Sequence, residues 1–278
     1  MNTPLIEVPR LTTMLDAKEH PPVLLDIRWS LATGGDHDGY TRGHIPGAQF
    51  LHMERDLSSA PGRSGRHPLP AAPEFTQAMR RAGVSTDSLV VCYDAGPGMS
   101  AARAWWLLRY FGHRAAYVLD GGLAAWTRAG LPVSAAETTV RPGEFTPGPP
   151  LAPTVDASDV LAAARDGILL DARDRERFLG LAEPVDKVAG HIPGAVSAPT
   201  QENVGPDGRF RPAAELRARF TALGVSQDRP TTVYCGSGVT AAHEILALET
   251  AGYAAALYPG SWSHWIEDTT RPVETSAA

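Results

Sequence analysis

Cysteine is scarce in this chain of 278 residues, which has only Cys92 and Cys235. Two cysteines without a Cys-x-x-Cys spacing predict neither a disulfide framework nor a zinc site. The nine histidines include no His-Glu-x-x-His pattern, so we predict no metal ion and no other cofactor.

Positive charge and long apolar runs are lacking as well. Lys and Arg number 25 against 31 Asp and Glu, for a net charge of -6. Nucleic acids and anionic membranes require a basic face, so neither is an expected partner. No apolar run reaches the roughly 18 residues of a membrane-spanning helix, and the first ten residues do not resemble a secretion signal. We therefore expect a cytoplasmic protein with a small-molecule substrate.

The chain repeats itself. Leu24-Leu25-Asp26-Ile27-Arg28 leads to Gly-His-Ile-Pro-Gly-Ala at 43–48, and Leu169-Leu170-Asp171-Ala172-Arg173 leads to the same six residues at 190–195. The two copies lie a whole domain's length apart, which indicates duplicated domains. We predict an N-terminal domain over 1–135, a proline-rich linker over 136–153 and a C-terminal domain over 154–278.

Short apolar runs alternate with helical stretches within each copy. This order is typical of an α/β fold in which a mainly parallel β-sheet is flanked by helices on both faces. Helices are predicted from about Ala101 to Phe111 and from about Ala241 to Ala251, and each stops at a glycine, Gly112 or Gly252. Ligands of such sheets bind at the carboxyl ends of the strands.

Cys235 stands at one of these strand ends, after Thr232-Val233-Tyr234. The residues that follow it are expected to form an active-site loop that leads into a helix: Gly236, Ser237, Gly238, Val239 and Thr240. The glycines allow successive backbone N–H groups to surround one point, and the helix aims its positive end there. A thiolate would be stabilised in this setting, so we predict that Cys235 is a nucleophile. Cys92 aligns with Val233 inside the strand and is expected to be a buried small hydrophobe.

The duplicated Gly-His-Ile-Pro-Gly-Ala and the loop Cys235-Gly-Ser-Gly-Val-Thr240 make the chain resemble tandem-domain rhodanese-like sulfurtransferases. The resemblance covers essentially the whole chain. It implies two tandem rhodanese-like domains, of which the first is non-catalytic because Asp94 stands where the cysteine would be. It also implies an active site at the domain interface and a persulfide on Cys235. Ser237 would donate a hydrogen bond to the substrate.

The uncharged loop resembles that of 3-mercaptopyruvate sulfurtransferases, which implies that compound as the sulfur donor. The matching positions imply substrate binding by Arg177, with Arg173 beside it. A further arginine of those enzymes is missing from the segment 183–187, where Lys187 is the stand-in. Thiosulfate is the alternative donor, and a non-enzymatic sulfur carrier or regulatory module is a further alternative. The acceptor is expected to be cyanide or a thiol, such as thioredoxin or a low-molecular-weight thiol.

His44 matches an N-domain histidine proposed in this family to assist mercaptopyruvate turnover, with Asp36 or Asp38 as its acid. The competing interpretation is structural, since His44 and His191 are duplicated and only one copy has the nucleophile. The same reasoning makes a structural salt bridge the default for Arg173, whereas Arg177 has no counterpart in the first copy.

Two other thiol chemistries are disfavoured. A cysteine-dependent phosphatase needs an arginine six residues after the cysteine, and that residue is Ala241. A papain-like enzyme needs a histidine base within reach, and His243 is expected on the helix, two turns away.

Overall fold

Strands and helices alternate along the residues that the structure, a computed structural model, describes: 3–17 and 20–275. The strands of the first half are β1 (Leu5–Ile6), β2 (Val23–Asp26), β3 (Trp29–Ser30), β4 (Gly34–Gly35), β5 (Gln49–Phe50), β6 (Val90–Tyr93) and β7 (Ala116–Leu119). Its helices are α1 (Val8–Asp16), α2 (His37–Arg42), α3 (Met53–Asp56), α4 (Ala72–Arg81), α5 (Met99–Tyr110) and α6 (Gly122–Arg128).

The second half repeats this plan in shorter form. Its strands are β8 (Ile168–Asp171), β9 (Ala195–Ser197), β10 (Thr231–Tyr234) and β11 (Ala256–Leu257). Its helices are α7 (Val160–Asp166), α8 (Arg175–Phe178), α9 (Ala213–Ala222), α10 (Val239–Thr250) and α11 (Ser261–Trp265), with a 3₁₀ turn at Thr200–Asn203. No helix of the described residues is both long and apolar enough to span a bilayer.

Each half is built on a parallel sheet. The first has the strand order β1-β7-β6-β2-β5, and the second has the order β11-β10-β8-β9. Strands β3 and β4 form a small antiparallel pair beside the first sheet. The predicted fold class is confirmed, and the two sheets place the carboxyl ends of β6 and β10 at the centre of each half.

The strand registers are equivalent in the two halves. Asp26 pairs with Tyr93 in the first sheet, and Asp171 pairs with Tyr234 in the second. Asp94 and Cys235 therefore stand at the same place, one residue beyond a central strand. Cys92 lies inside β6 and is fully buried, in agreement with the sequence prediction.

Helices α5 and α10 pack against each other between the two sheets. One continuous core includes the fully buried Trp105 and Trp106 of α5 and Leu246 of α10. Each of these fully buried apolar side chains contributes about 2 to 3 kcal/mol of hydrophobic stabilisation. A polar contact joins the halves as well, because His243 Nε2 lies 3.0 Å from the carbonyl oxygen of Pro97.

The segment 136–153 contains neither helix nor strand among the described residues. It follows the surface of the first half, since Gly143 N–H donates to Arg80 O (2.8 Å) and Leu151 N–H donates to Arg109 O (3.0 Å). Phe145 is fully buried against that half. The segment is thus fixed along the first half.

Candidate active site

Cys235 lies at the carboxyl end of β10, in a turn that is formed by a left-handed glycine. Gly238 has φ = 80° and precedes the first residue of α10, and a Cβ there would lie 2.5 Å from the carbonyl oxygen of Pro259. Only glycine fits this position. The Gly238 N–H donates to Cys235 Sγ at 3.1 Å. The thiol is 1% exposed, and the four residues after it are buried as well.

The residues before and within α11 hold this loop from behind. Cys235 N–H donates to Ser261 Oγ at 3.1 Å, and the carbonyl oxygens of Cys235 and Gly236 accept from Trp262 N–H and Ser263 N–H, both at 2.9 Å. Ser261 itself has φ = 54°, a conformation that costs a non-glycine residue about 1 to 3 kcal/mol. These contacts occupy the carbonyl oxygens of Cys235 and Gly236, and the Gly238 N–H remains directed at the thiol.

A histidine from the first half contacts the loop serine. His67 Nδ1 lies 2.8 Å from Ser237 Oγ, and the edge of its ring packs on Trp29. Burial, assisted by the positive charges of Arg103 and Arg66, lowers the pKa of His67 to about 4. The imidazole is therefore neutral at neutral pH and forms a hydrogen bond with the hydroxyl.

Arg103 brings a buried positive charge from α5 to the same loop. It is 0% exposed, and its guanidinium donates to the carbonyl oxygens of Gly238 (3.2 Å) and His67 (3.0 Å). No carboxylate pairs with it among the described residues. Burial lowers the pKa of Arg103 to about 10, and the negative charge of the Cys235 thiolate opposes this shift. The guanidinium therefore stays charged at neutral pH.

Arg177, on α8, reaches the loop from the second half. It donates to both oxygens of Glu183 (2.6 and 3.1 Å) and to Asp186 Oδ2 (2.9 Å). Burial would raise the pKa of the Glu183 carboxyl, but hydrogen bonds from Arg177 and from two backbone amides lower it. A Cβ built on Gly236 would lie 3.7 Å from Arg177 Nη1, which places this guanidinium beside the nucleophilic turn.

Arg173, whose part in substrate binding stays a prediction, makes contacts of another kind. It forms a bidentate pair with Asp171, donates to the carbonyl oxygen of Gly190 at 2.7 Å and has a side chain that is 1% exposed. Arg28 makes the same contacts with Asp26 and Gly43 in the first half. The duplicated contact ties a strand end to the following turn in each half, which is a structural task.

His44, for which a role towards the substrate likewise stays a prediction, makes its contacts inside the first half. It is fully buried in the first half, where Nδ1 lies 2.9 Å from the carbonyl oxygen of Tyr40 and the ring stacks on Tyr40 at 3.9 Å. The histidine at the nucleophilic loop is His67. The side chain of Lys187 is 85% exposed and pairs with Glu267 at 3.6 Å.

One sequence signal could have identified His67 and its neighbour Arg66. A turn that ends in proline follows the repeated motif in each copy, as Gly65-Arg66-His67-Pro68 and as Arg209-Phe210-Arg211-Pro212. Comparison of the two turns reveals that the first carries a histidine. Its proximity to Ser237, 170 residues further along the chain, follows only from the packing of the two halves.

Asp94 shows how the equivalent loop of the first half holds an anion. Its Oδ1 accepts from the N–H groups of Gly96 and Gly98, and its Oδ2 accepts from those of Ser100 and Ala101, at 3.0 to 3.3 Å. Burial raises the pKa of this carboxyl, and the four amide hydrogen bonds oppose the rise. All four partners are donors, so the loop is suited to a carboxylate. The same strand-loop-helix unit around Cys235 can hold a thiolate or a persulfide.

Comparison with known proteins agrees with this chemistry. The model of the rhodanese-like domain matches residues 8–129 and 156–268. A probable 3-mercaptopyruvate sulfurtransferase of Pseudomonas aeruginosa is 50% identical over 85% of this chain and 86% of its own length. A putative thiosulfate sulfurtransferase of Mycobacterium tuberculosis is 41% identical over 99% of this chain and 98% of its own. The crystal structure of the 3-mercaptopyruvate sulfurtransferase of Escherichia coli superimposes with a TM-score of 0.83 at 36% identity, covering 94% of this chain and 100% of that one.

Proposed function

The chain belongs to the rhodanese-like family of sulfurtransferases, and on that premise we propose that it transfers sulfur from 3-mercaptopyruvate through a persulfide on Cys235. The observation that carries the proposal is the buried thiol held by the Gly238 amide, with Ser237 and His67 paired beside it. The acceptor we propose is cyanide or a thiol in the cytoplasm, such as thioredoxin or a low-molecular-weight thiol.

The first half-reaction forms the persulfide. The Cys235 thiolate attacks the sulfur of the donor, the carbon–sulfur bond breaks, and its electron pair moves onto the former thiol carbon to give the enolate of pyruvate. The proton of the donor's thiol then passes to the enolate carbon, and the product leaves as pyruvate. Ser237, in contact with neutral His67, is positioned to donate to the donor's ketone oxygen while negative charge develops there.

The second half-reaction returns the enzyme to its starting state. The acceptor attacks the outer sulfur, the sulfur–sulfur bond breaks, and the electron pair returns to Cys235 as the thiolate. The loop amides and the charged Arg103 stabilise the anion at both stages. Four backbone amides donate to the Asp94 carboxylate in the first half. We therefore expect the outer sulfur to accept hydrogen bonds from the equivalent amides at the start of α10.

Thiosulfate is the second candidate donor, because a relative that spans nearly the whole chain is named for it. The loop argues for mercaptopyruvate, since the residues after the nucleophile, Gly236 and Ser237, carry no charge that would match a dianion. Side-by-side measurement of kcat/KM decides between the donors. A higher value with thiosulfate would overturn the assignment.

Persulfide formation is tested directly by mass. After incubation with 3-mercaptopyruvate, we expect the protein to gain one sulfur atom on the peptide that contains Cys235. Cys235→Ser should abolish the gain and the turnover. Cys92→Ser is the matched control and should keep both, because Cys92 is fully buried in β6 and burial raises its pKa. A gain that persists in Cys235→Ser would show that the nucleophile is another residue.

A further inference from the structure

Arg66 reaches the nucleophilic turn from the opposite half of the chain. A Cβ built on Gly236, the residue after the nucleophile, would lie 3.0 Å from Arg66 Nη2 and 3.7 Å from Arg177 Nη1. Two guanidinium groups, one from each half, therefore converge beside Cys235. Neither follows the cysteine in sequence, and both are paired with buried carboxylates, Asp186 for the two of them and Glu183 for Arg177.

One carboxylate of the chain bridges the two groups. Asp186 Oδ1 accepts from Arg66 Nη1 at 2.6 Å, and Asp186 Oδ2 accepts from Arg177 Nη2 at 2.9 Å. The Asp186 side chain is only 5% exposed. Each of its oxygens contacts a different arginine, which is a two-point contact that a small carboxylate ligand can make equally well.

Arg66 also has hydrogen-bonding capacity to spare. Its Nε is buried and has no hydrogen-bond partner among the described residues. Its backbone N–H donates to Ser263 Oγ at 3.0 Å, so the turn that carries it is fixed to the second half. An unsatisfied buried donor is costly in a folded protein. A ligand oxygen that reaches it would remove this cost.

A surface cavity leads to this pair. It has a volume of about 470 Å³ and is lined by Arg63, Arg66, Asp186 and Lys187, among other residues. Arg66 extends from the wall of this cavity to the residue that follows the nucleophile.

We propose that Arg66 is a specificity-determining residue, which binds the donor's carboxylate together with Arg177 by the two-point contact that Asp186 now makes. The inference rests on the proposed function, because it assigns a residue to the carboxylate of 3-mercaptopyruvate. It makes donor selection a shared property of the two halves, since each contributes one guanidinium.

The test compares donors that differ only in the carboxylate. Mercaptoacetone carries a methyl group where 3-mercaptopyruvate carries the carboxylate. For Arg66→Met we expect kcat/KM with 3-mercaptopyruvate to fall about 10- to 100-fold, mainly through KM, and kcat/KM with mercaptoacetone to stay within about threefold. Arg42→Met is the matched control, because Arg42 belongs to the same half, its side chain is 73% exposed and it lies on α2, outside this cavity. It should leave both donors unchanged.

A second measurement does not depend on turnover. Pyruvate keeps the carboxylate and lacks the sulfur, so it should protect Cys235 from iodoacetamide. Arg66→Met should require about 10-fold more pyruvate than the wild type or Arg42→Met for equal protection. Arg66→Lys retains the charge and the stem without the planar fork, and we expect an intermediate effect.

The outcomes separate the two proposals. Equal losses with both donors, no loss with 3-mercaptopyruvate, or unchanged protection by pyruvate would each overturn the role of Arg66 and leave the proposed function in place. A wild-type protein that uses thiosulfate but not 3-mercaptopyruvate would overturn the proposed function itself, and the carboxylate site with it.

Discussion

Individual polar atoms around Ser237 distinguish His67 from His44. His67 is in contact with the loop hydroxyl and is neutral, whereas His44 satisfies a carbonyl oxygen and stacks on Tyr40 inside its own half. Both are buried, and both precede a proline by one or two residues. Their environments, and not their sequence patterns, separate a reactive role from a structural one.

His67→Ala should lower kcat about 100-fold with a folded protein, because the loop serine loses its proton partner. His44→Ala should instead lower the free energy of unfolding by about 1 to 3 kcal/mol, through an unpaired carbonyl and lost stacking, and keep kcat per folded molecule within about threefold. Turnover of both variants, corrected for the folded fraction from urea titration, checks this. A loss of kcat in His44→Ala equal to that in His67→Ala would contradict it.

At the scale of the elements, the sequence was most informative where the signal is local. The predicted helix over 101–111 corresponds to α5 (Met99–Tyr110), and the predicted helix over 241–251 corresponds to α10 (Val239–Thr250). Gly112 and Gly252 both have φ = 87° just beyond these helices, which explains why they end there. The spacing of apolar residues and the position of a terminating glycine can be seen in a short stretch of sequence. They therefore predict a helix without knowledge of the tertiary structure.

The contacts of the site depend instead on pairs that are distant in the chain. Ser237 meets His67, and Gly238 meets Arg103, 135 residues earlier, only because α5 packs on α10. No short window encodes this pairing. The repeat indicated that two halves share one site, but it did not indicate which side chains of the first half face the thiol. For this reason the sequence singled out His44, whereas the histidine in contact with Ser237 is His67.

Helix α5 also supplies the Cys235 loop with a buried positive charge, that of Arg103, and this can be tested. Removing the charge in Arg103→Met should destabilise the thiolate, so the pH of half-maximal alkylation of Cys235 by iodoacetamide should rise by about one unit. Arg103→Lys keeps a positive charge and should give a smaller rise. The measurement is the labelling rate of the Cys235 peptide across the pH range. An unchanged profile in Arg103→Met would show that its charge does not act on the thiol.

For the whole molecule, acid should weaken the contact between the halves. Two buried histidines lie there: His67 against Ser237, and His243 against the carbonyl oxygen of Pro97. Burial lowers the pKa of each to about 4, from about 6.5 in an unfolded chain. Between these values the unfolded chain binds the protons and the folded protein does not. Stability is therefore fully present above pH 6.5 and is lost as the pH falls towards 4.

Each histidine should account for about 3 kcal/mol of this loss. His243→Gln should reduce the decline in unfolding free energy between about pH 7 and pH 4.5, because the amide keeps the hydrogen bonds and does not titrate. Urea unfolding across this range measures the effect. His20→Gln, at an exposed position, is the control and should match the wild type. An acid slope in His243→Gln equal to that of the wild type would contradict the assignment.

The loop of the first half holds a permanent group, the carboxylate of Asp94, whereas the loop of the second half does not. In the second half, the sulfur at the loop changes with each half-reaction, as donor and acceptor alternate. In the first half, the carboxylate is a covalent part of the chain, so its four amides keep the same partner throughout every cycle. Helix α5 begins at that loop and carries Arg103. The first half therefore keeps the same contacts while the second half gains and loses a sulfur atom.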